Sequence, residues 1–219
     1  MNAPPLQSAR TRPASSTDPR SQWIVAVTLA LGTALLAVTL RVPRGSGWLV
    51  VLSLMVAAVW VGGARLAGPL PWRSVPQSSR LRTVLGSSLL GCVAGLAFFG
   101  AYLVARRLPL LSTALSSIVG KAEAGSGLVV VAALLNGVAE EVFFRGALFG
   151  AVGPRRPEVV TTIIYVLVTA ATGNVALMVA AAVMGAIFSR QRAITGSIVA
   201  PLITHVTWST LLLVLLPRY

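Results

Sequence analysis

Long apolar runs separated by short arginine-bearing breaks set the rhythm of this chain. A helix needs about 20 apolar residues, range roughly 17 to 25, to span the hydrocarbon layer of a bilayer. Residues 23–40, 47–64, 84–105 and 128–152 meet that length, and residues 194–216 form a last long run that carries Pro201. Two shorter runs, 159–171 and 175–189, lie between them; such segments cross if they are tucked inside a bundle or if the bilayer thins locally. Between the second and third runs, LAGPLPWRSVPQSSRLR reads as a linker with three prolines, and residues 106–127 are mixed and Ser/Gly-bearing, a loop or an amphipathic surface helix. The polar, proline-containing residues 1–22 read as a disordered cytoplasmic tail. The run at 23–40 is too long for the apolar region of a signal peptide and lacks a small-residue cleavage site before Arg41, so it is expected to be retained. The pattern predicts an all-α fold, a polytopic membrane helix bundle of about seven transmembrane segments (roughly six to eight by the spanning length). Residues 23–105 would supply the N-terminal helices and residues 128–216 a second, C-terminal unit. No internal repeat is visible.

Composition agrees. Of 219 residues 56% are hydrophobic and 11% charged, with a mean hydropathy of +0.84. Soluble domains carry about a quarter charged residues. The net charge of +13 raises the question of nucleic acid, but the cations sit in the breaks between apolar runs and form no aromatic-interleaved basic stripe. The expected partner is therefore a lipid bilayer and not nucleic acid. If all seven runs cross, a cytoplasmic N-terminus leaves eleven Arg on the inner side and six Arg or Lys on the outer side, which favours that orientation. The excess of Arg over Lys and the Ala/Val/Gly-rich spans suggest a GC-rich bacterial genome, and hence a bacterial plasma membrane. Cys92 stands alone in an apolar run, so neither a disulfide framework nor a Cys metal cluster is expected.

Against this background the stretch AEEVFFRG, residues 139–146, stands out, because the chain holds only five Asp plus Glu and two of them are Glu140 and Glu141. An ionised side chain at mid-bilayer costs about 2.5 to 3.5 kcal/mol on insertion scales, so these residues must partner one another or line a wet cavity. On an α-helix Glu141 and Arg145 are i and i+4, with the acid nearer the N-terminus, the favourable order for an ion pair. Glu140 lies about 100° round the helix and is left aimed elsewhere, with Asn136 at its own i−4 position. A desolvated carboxylate binds a proton more readily than one in water; Glu140 could take a proton from water and return it to a leaving amine. The alternative is a packing and topology role for all three residues.

The one histidine, His205, lies in ITGSIVAPLITHVTWST, the most hydroxyl-rich part of the last run, with Ser209 at i+4. It is either a satisfied buried residue or, with Ser209 on the same face, a donor to a developing oxyanion. Zinc wants about three protein ligands, and one His beside a Glu pair without HExxH falls short. No cofactor is expected, with a divalent metal the lesser alternative. There is also no GxSxG and no glycine-rich phosphate loop.

EEVFFRG resembles the EExxxR signature of the CAAX-processing and bacteriocin-processing membrane proteases, the CPBP or Abi family. The later stretch MGAIFSRQRAITGSIVAPLITHVTWS resembles the end of that domain, so the resemblance runs from about residue 128 to residue 212. It implies an intramembrane endopeptidase acting on a membrane-embedded or membrane-anchored peptide or protein. Glu140 would activate the water, Glu141 and Arg145 would support it, and His205 would hold the oxyanion. The sequence departs from the family pattern twice. Thr169, in Tyr165-Val-Leu-Val-Thr169, stands where an FxxxH motif places its histidine, and Ser209 stands where an Asn or Asp closes the last motif. A catalytically weakened member that binds a membrane partner without cutting it is therefore the second expectation. A transporter or proton relay using Glu140 is the third, and it would call for ionisable residues on more helices.

Overall fold

The computed structural model describes residues 18–43, 45–72, 77–123 and 127–216. Among them there are helices and connecting turns and no strands. We number the helices α1 (Pro19–Arg41), α2 (Trp48–Ala67), α3 (Gln77–Ala105), α4 (Pro109–Glu123), α5 (Gly127–Val152), α6 (Pro157–Ala170), α7 (Val175–Thr195) and α8 (Val199–Leu215). Five of them, α1, α2, α3, α5 and α7, are long and apolar enough to cross a membrane, and α6 and α8 are shorter apolar helices. The chain is an all-helical, polytopic membrane bundle. Large apolar side chains such as Trp23, Leu31, Leu89 and Leu167 are exposed around it, as a lipid-facing surface requires.

The boundaries differ from the sequence reading for local reasons. Residues 1–17 of the expected tail lie outside the described residues, but residues 19–22 form the first turn of α1. Asp18 accepts from the Arg20 amide at 3.1 Å and Pro19 stands in the first turn, a combination that starts a helix irrespective of the polar residues that follow. Helix α3 likewise extends seven residues upstream of the apolar run, because a helix need not stop where its hydrophobicity does. The segment expected to be a loop or surface helix is helical as α4. Asn174 ties it down: its side-chain amide donates to the Ala114 carbonyl at 2.9 Å and to Ser117 Oγ at 3.0 Å. Its oxygen meanwhile caps α7 through the Leu177 amide at 3.1 Å.

The core sits where α1 and α2 meet the middle of α5. Val25, Val56, Trp60 and Ala64 pack on Ala139, Val142, Phe143, Phe144 and Leu148. The Trp60 ring lies 4.7 Å from that of Phe143 and 5.2 Å from that of Phe144. Lipid tails are as apolar as these side chains, so close packing rather than water exclusion must hold the helices together. Two glycines allow it: a β-carbon at Gly32 would fall inside the Trp60 ring, and one at Gly63 would fall on Thr28. Gly32→Ala is expected to wedge α1 from α2 and to destabilise the bundle by about 1–3 kcal/mol, the usual cost of overpacking. Unfolding in mixed micelles measures it.

Candidate active site

The acidic motif does not lie on a regular α-helix. From Glu141 to Leu148 the backbone of α5 is π-helical, with hydrogen bonds reaching one residue further than in an α-helix. Such widened turns recur at functional sites, and here one carries Glu141, Phe143, Phe144 and Arg145 inward, all fully buried. Glu140 closes the preceding α-helical stretch and is only half-buried. The two adjacent carboxylates therefore occupy different environments.

Glu141 is sealed and paired. Its Oε1 accepts from Arg145 Nη1 at 3.2 Å and contacts His205 Nδ1 at 2.9 Å. Because a guanidinium only donates, the shared Oε1 acts as a carboxylate acceptor, and Nδ1 then carries the proton it offers. Nε2 is left as the working nitrogen of the imidazole. The ring is held flat against Phe188 (centroids 4.8 Å apart, planes 18° apart) and leans on Trp208 at 5.6 Å. Its Nε2 edge faces Gly137, where a β-carbon would stand 3.1 Å away. This glycine is the close approach that lets α8 bring His205 against α5.

Arg145 is held through its two terminal nitrogens and its faces, while its buried Nε has no hydrogen-bond partner among the described residues. Nη2 donates to the Gly185 carbonyl of α7 at 3.3 Å. The guanidinium lies 4.7 Å from the Tyr165 ring, 5.1 Å from Phe188 and 5.9 Å from Phe144. The carbonyl of Arg145 accepts from Arg192 Nε at 2.9 Å. Glu140, by contrast, makes no ion pair among the described residues; its Oε2 accepts from the Tyr165 hydroxyl at 2.5 Å.

The remaining sequence-derived candidates are placed as follows. Thr169 is buried on α6, and its hydroxyl donates to the Tyr165 carbonyl one turn back at 2.8 Å. Ser209 lines an apolar cavity of about 300 Å³, beside Trp208, Phe98, Ala133 and Leu177. Asn136 Oδ1 is buried without a hydrogen-bond partner among the described residues, as is Glu141 Oε2. No group of three or more His, Cys, Asp or Glu among the described residues could hold a metal ion.

Sequence reasoning thus brings together Glu140, Glu141, Arg145 and His205 and misses Tyr165, Gly137, Phe188 and the Gly185 carbonyl. Tyr165 carried a usable signal, since it is the residue that opens the Tyr165-to-Thr169 stretch and the one phenol on that helix. The backbone carbonyl of Gly185 carried none. No curated protein and no solved structure matches the chain. Residues 123–211, which hold every one of these side chains, match the family model of the type II CAAX prenyl endopeptidase Rce1-like proteins. By that match, residues 123–211 of this chain are similar to the type II CAAX prenyl endopeptidase Rce1-like proteins, a likeness that covers less than half of the chain.

Proposed function

We propose that this chain is an intramembrane endopeptidase that hydrolyses peptide bonds with water activated by Glu140. The observation that carries the reading is the division of labour between two neighbouring acids. Glu141 is fully buried and compensated by Arg145 and His205, whereas Glu140 is half-buried and, among the described residues, hydrogen-bonds to the Tyr165 phenol and forms no ion pair. A carboxylate so placed can meet water from outside the packed core. Glu140 takes a proton from that water as its oxygen adds to the scissile carbonyl. With Nδ1 engaged by Glu141, His205 can serve the oxyanion that forms only through its Nε2 edge. Glu140 then returns the proton to the leaving amine as the C–N bond breaks. Arg145 does not touch the reacting atoms; it fixes Glu141.

The substrate in this reading is a membrane-embedded or membrane-anchored peptide or protein, since the two acids lie within an apolar helical bundle. The excess of arginines in alternate breaks supports a plasma-membrane protein with a cytoplasmic N-terminus. A second reading, a binding protein that has lost proteolysis, is favoured by two observations: the Thr169 hydroxyl is engaged with its own helix, and Ser209 borders an apolar cavity.

Incubating the reconstituted protein with a panel of membrane-anchored peptides separates the two. Cleavage by the wild type that Glu140→Ala abolishes supports the endopeptidase, and indistinguishable profiles contradict it. A milder test uses Gly137→Ala, whose new methyl presses on His205 Nε2. Misplacing a catalytic group by a fraction of an ångström is expected to lower kcat by about 10- to 100-fold, with KM little changed.

A further inference from the structure

We propose that Tyr165 positions Glu140, so that a phenol on α6 orients the reactive carboxylate. The proposal rests on the reading of Glu140 as the base. Tyr165 is the side chain that donates to Glu140 among the described residues, and its 2.5 Å contact to Oε2 leaves Oε1 as the oxygen able to receive a proton from water. The phenol is not a chance neighbour, because three residues from two helices fix its ring. Phe144 meets it edge-on with centroids 4.8 Å apart, the Arg145 guanidinium covers it at 4.7 Å, and the backbone of Gly185 leaves just enough room beside it. A β-carbon at Gly185 would stand 3.2 Å from Tyr165 Cδ1. The same Arg145 that neutralises Glu141 thus also holds the residue that orients Glu140. Both acids are set by one guanidinium, through an ion pair on one side and a stacked phenol on the other.

The position on α6 explains the departure at Thr169. Residues 165 and 169 are one turn apart and share a face. The Thr169 hydroxyl closes on the Tyr165 carbonyl, which steadies the turn but reaches no carboxylate. A tyrosine spans further from its backbone than a threonine, and from one turn earlier its hydroxyl attains Glu140. The donor to Glu140 on this helix is therefore Tyr165 and not Thr169.

Infrared difference spectroscopy of the full chain in lipid, wild type minus Glu140→Gln, isolates the carboxyl bands of Glu140. Tyr165→Phe keeps the ring and its packing and removes the hydroxyl alone, so the Glu140 bands are expected to shift while unfolding is little changed. Incorporating 3-fluorotyrosine at position 165, a stronger donor of nearly the same shape, is expected to move the bands the opposite way. In cleavage assays Tyr165→Phe should lower kcat by about tenfold or more, with KM nearly constant and a displaced pH profile. Glu140 bands identical in wild type and Tyr165→Phe would overturn the proposal, as would an unaltered kcat and pH profile. A wild type that cleaves nothing contradicts the endopeptidase reading instead, and the band shift still decides whether Tyr165 sets Glu140.

Discussion

Arg145→Met is expected to destabilise the protein by about 3–5 kcal/mol, the loss that follows when one partner of a buried pair is removed. The reason is geometric. Glu141 and Arg145 have no exposed surface, and the carboxylate cannot turn to water when its guanidinium goes. The substitution also takes the donor from the Gly185 carbonyl and the cation from three aromatic rings. Arg145→Lys should recover only part of the loss, because an ammonium cannot serve Glu141 and Gly185 as a planar fork does. Removing both charges, as Arg145→Met with Glu141→Leu, should cost less than the sum of the two single changes, since no buried charge is then stranded. Reversible unfolding of the four proteins in mixed micelles measures the coupling. A cost below about 1 kcal/mol for Arg145→Met, the range of exposed pairs, would show that the pair is not sealed.

Glu140→Gln should do the reverse, leaving the fold and removing the reaction. A glutamine matches the acid in size and its carbonyl can still accept from Tyr165. Glu140 is half-buried and forms no ion pair among the described residues, so the stability change should stay within about 1 kcal/mol. General-base catalysis is worth about 10²- to 10⁴-fold, and the amide cannot take a proton from water. Cleavage should fall by that factor with substrate affinity nearly unchanged. Two adjacent glutamates would then answer to different assays, Glu141 to unfolding and Glu140 to turnover.

Much of this was legible in the sequence because a bilayer is a strict solvent. Apolar run length located α1 to α3 and α5 to α8 but left α4 as a loop or surface helix, and the scarcity of acids drew attention to Glu140, Glu141 and Arg145. The i, i+4 spacing foresaw the Glu141–Arg145 pair. The π-helical stretch from Glu141 to Leu148, whose Phe143 and Phe144 pack on Trp60, was hidden, since no residue pattern along the chain marks it. That His205 would meet Glu141 could not be read across a separation of 64 positions; it depends on α8 lying against Gly137. On α6 the side chain that reaches Glu140 is Tyr165, whereas Thr169 bonds its own backbone, a difference of reach that residue type alone does not reveal. Helix starts moved where caps such as Asp18 outweighed hydropathy. Patterns along the chain thus gave elements and pairs close in sequence, while contacts between helices had to come from the fold.

The central claim is that Glu140 activates water for peptide hydrolysis. Its most direct measurement is cleavage of a membrane-anchored peptide in ¹⁸O-enriched water, followed by mass spectrometry of the new C-terminus. The account predicts ¹⁸O-labelled product from the wild type and about 10²- to 10⁴-fold less from folded Glu140→Gln. Labelled product at equal rates from both proteins, or none from the wild type, would contradict it.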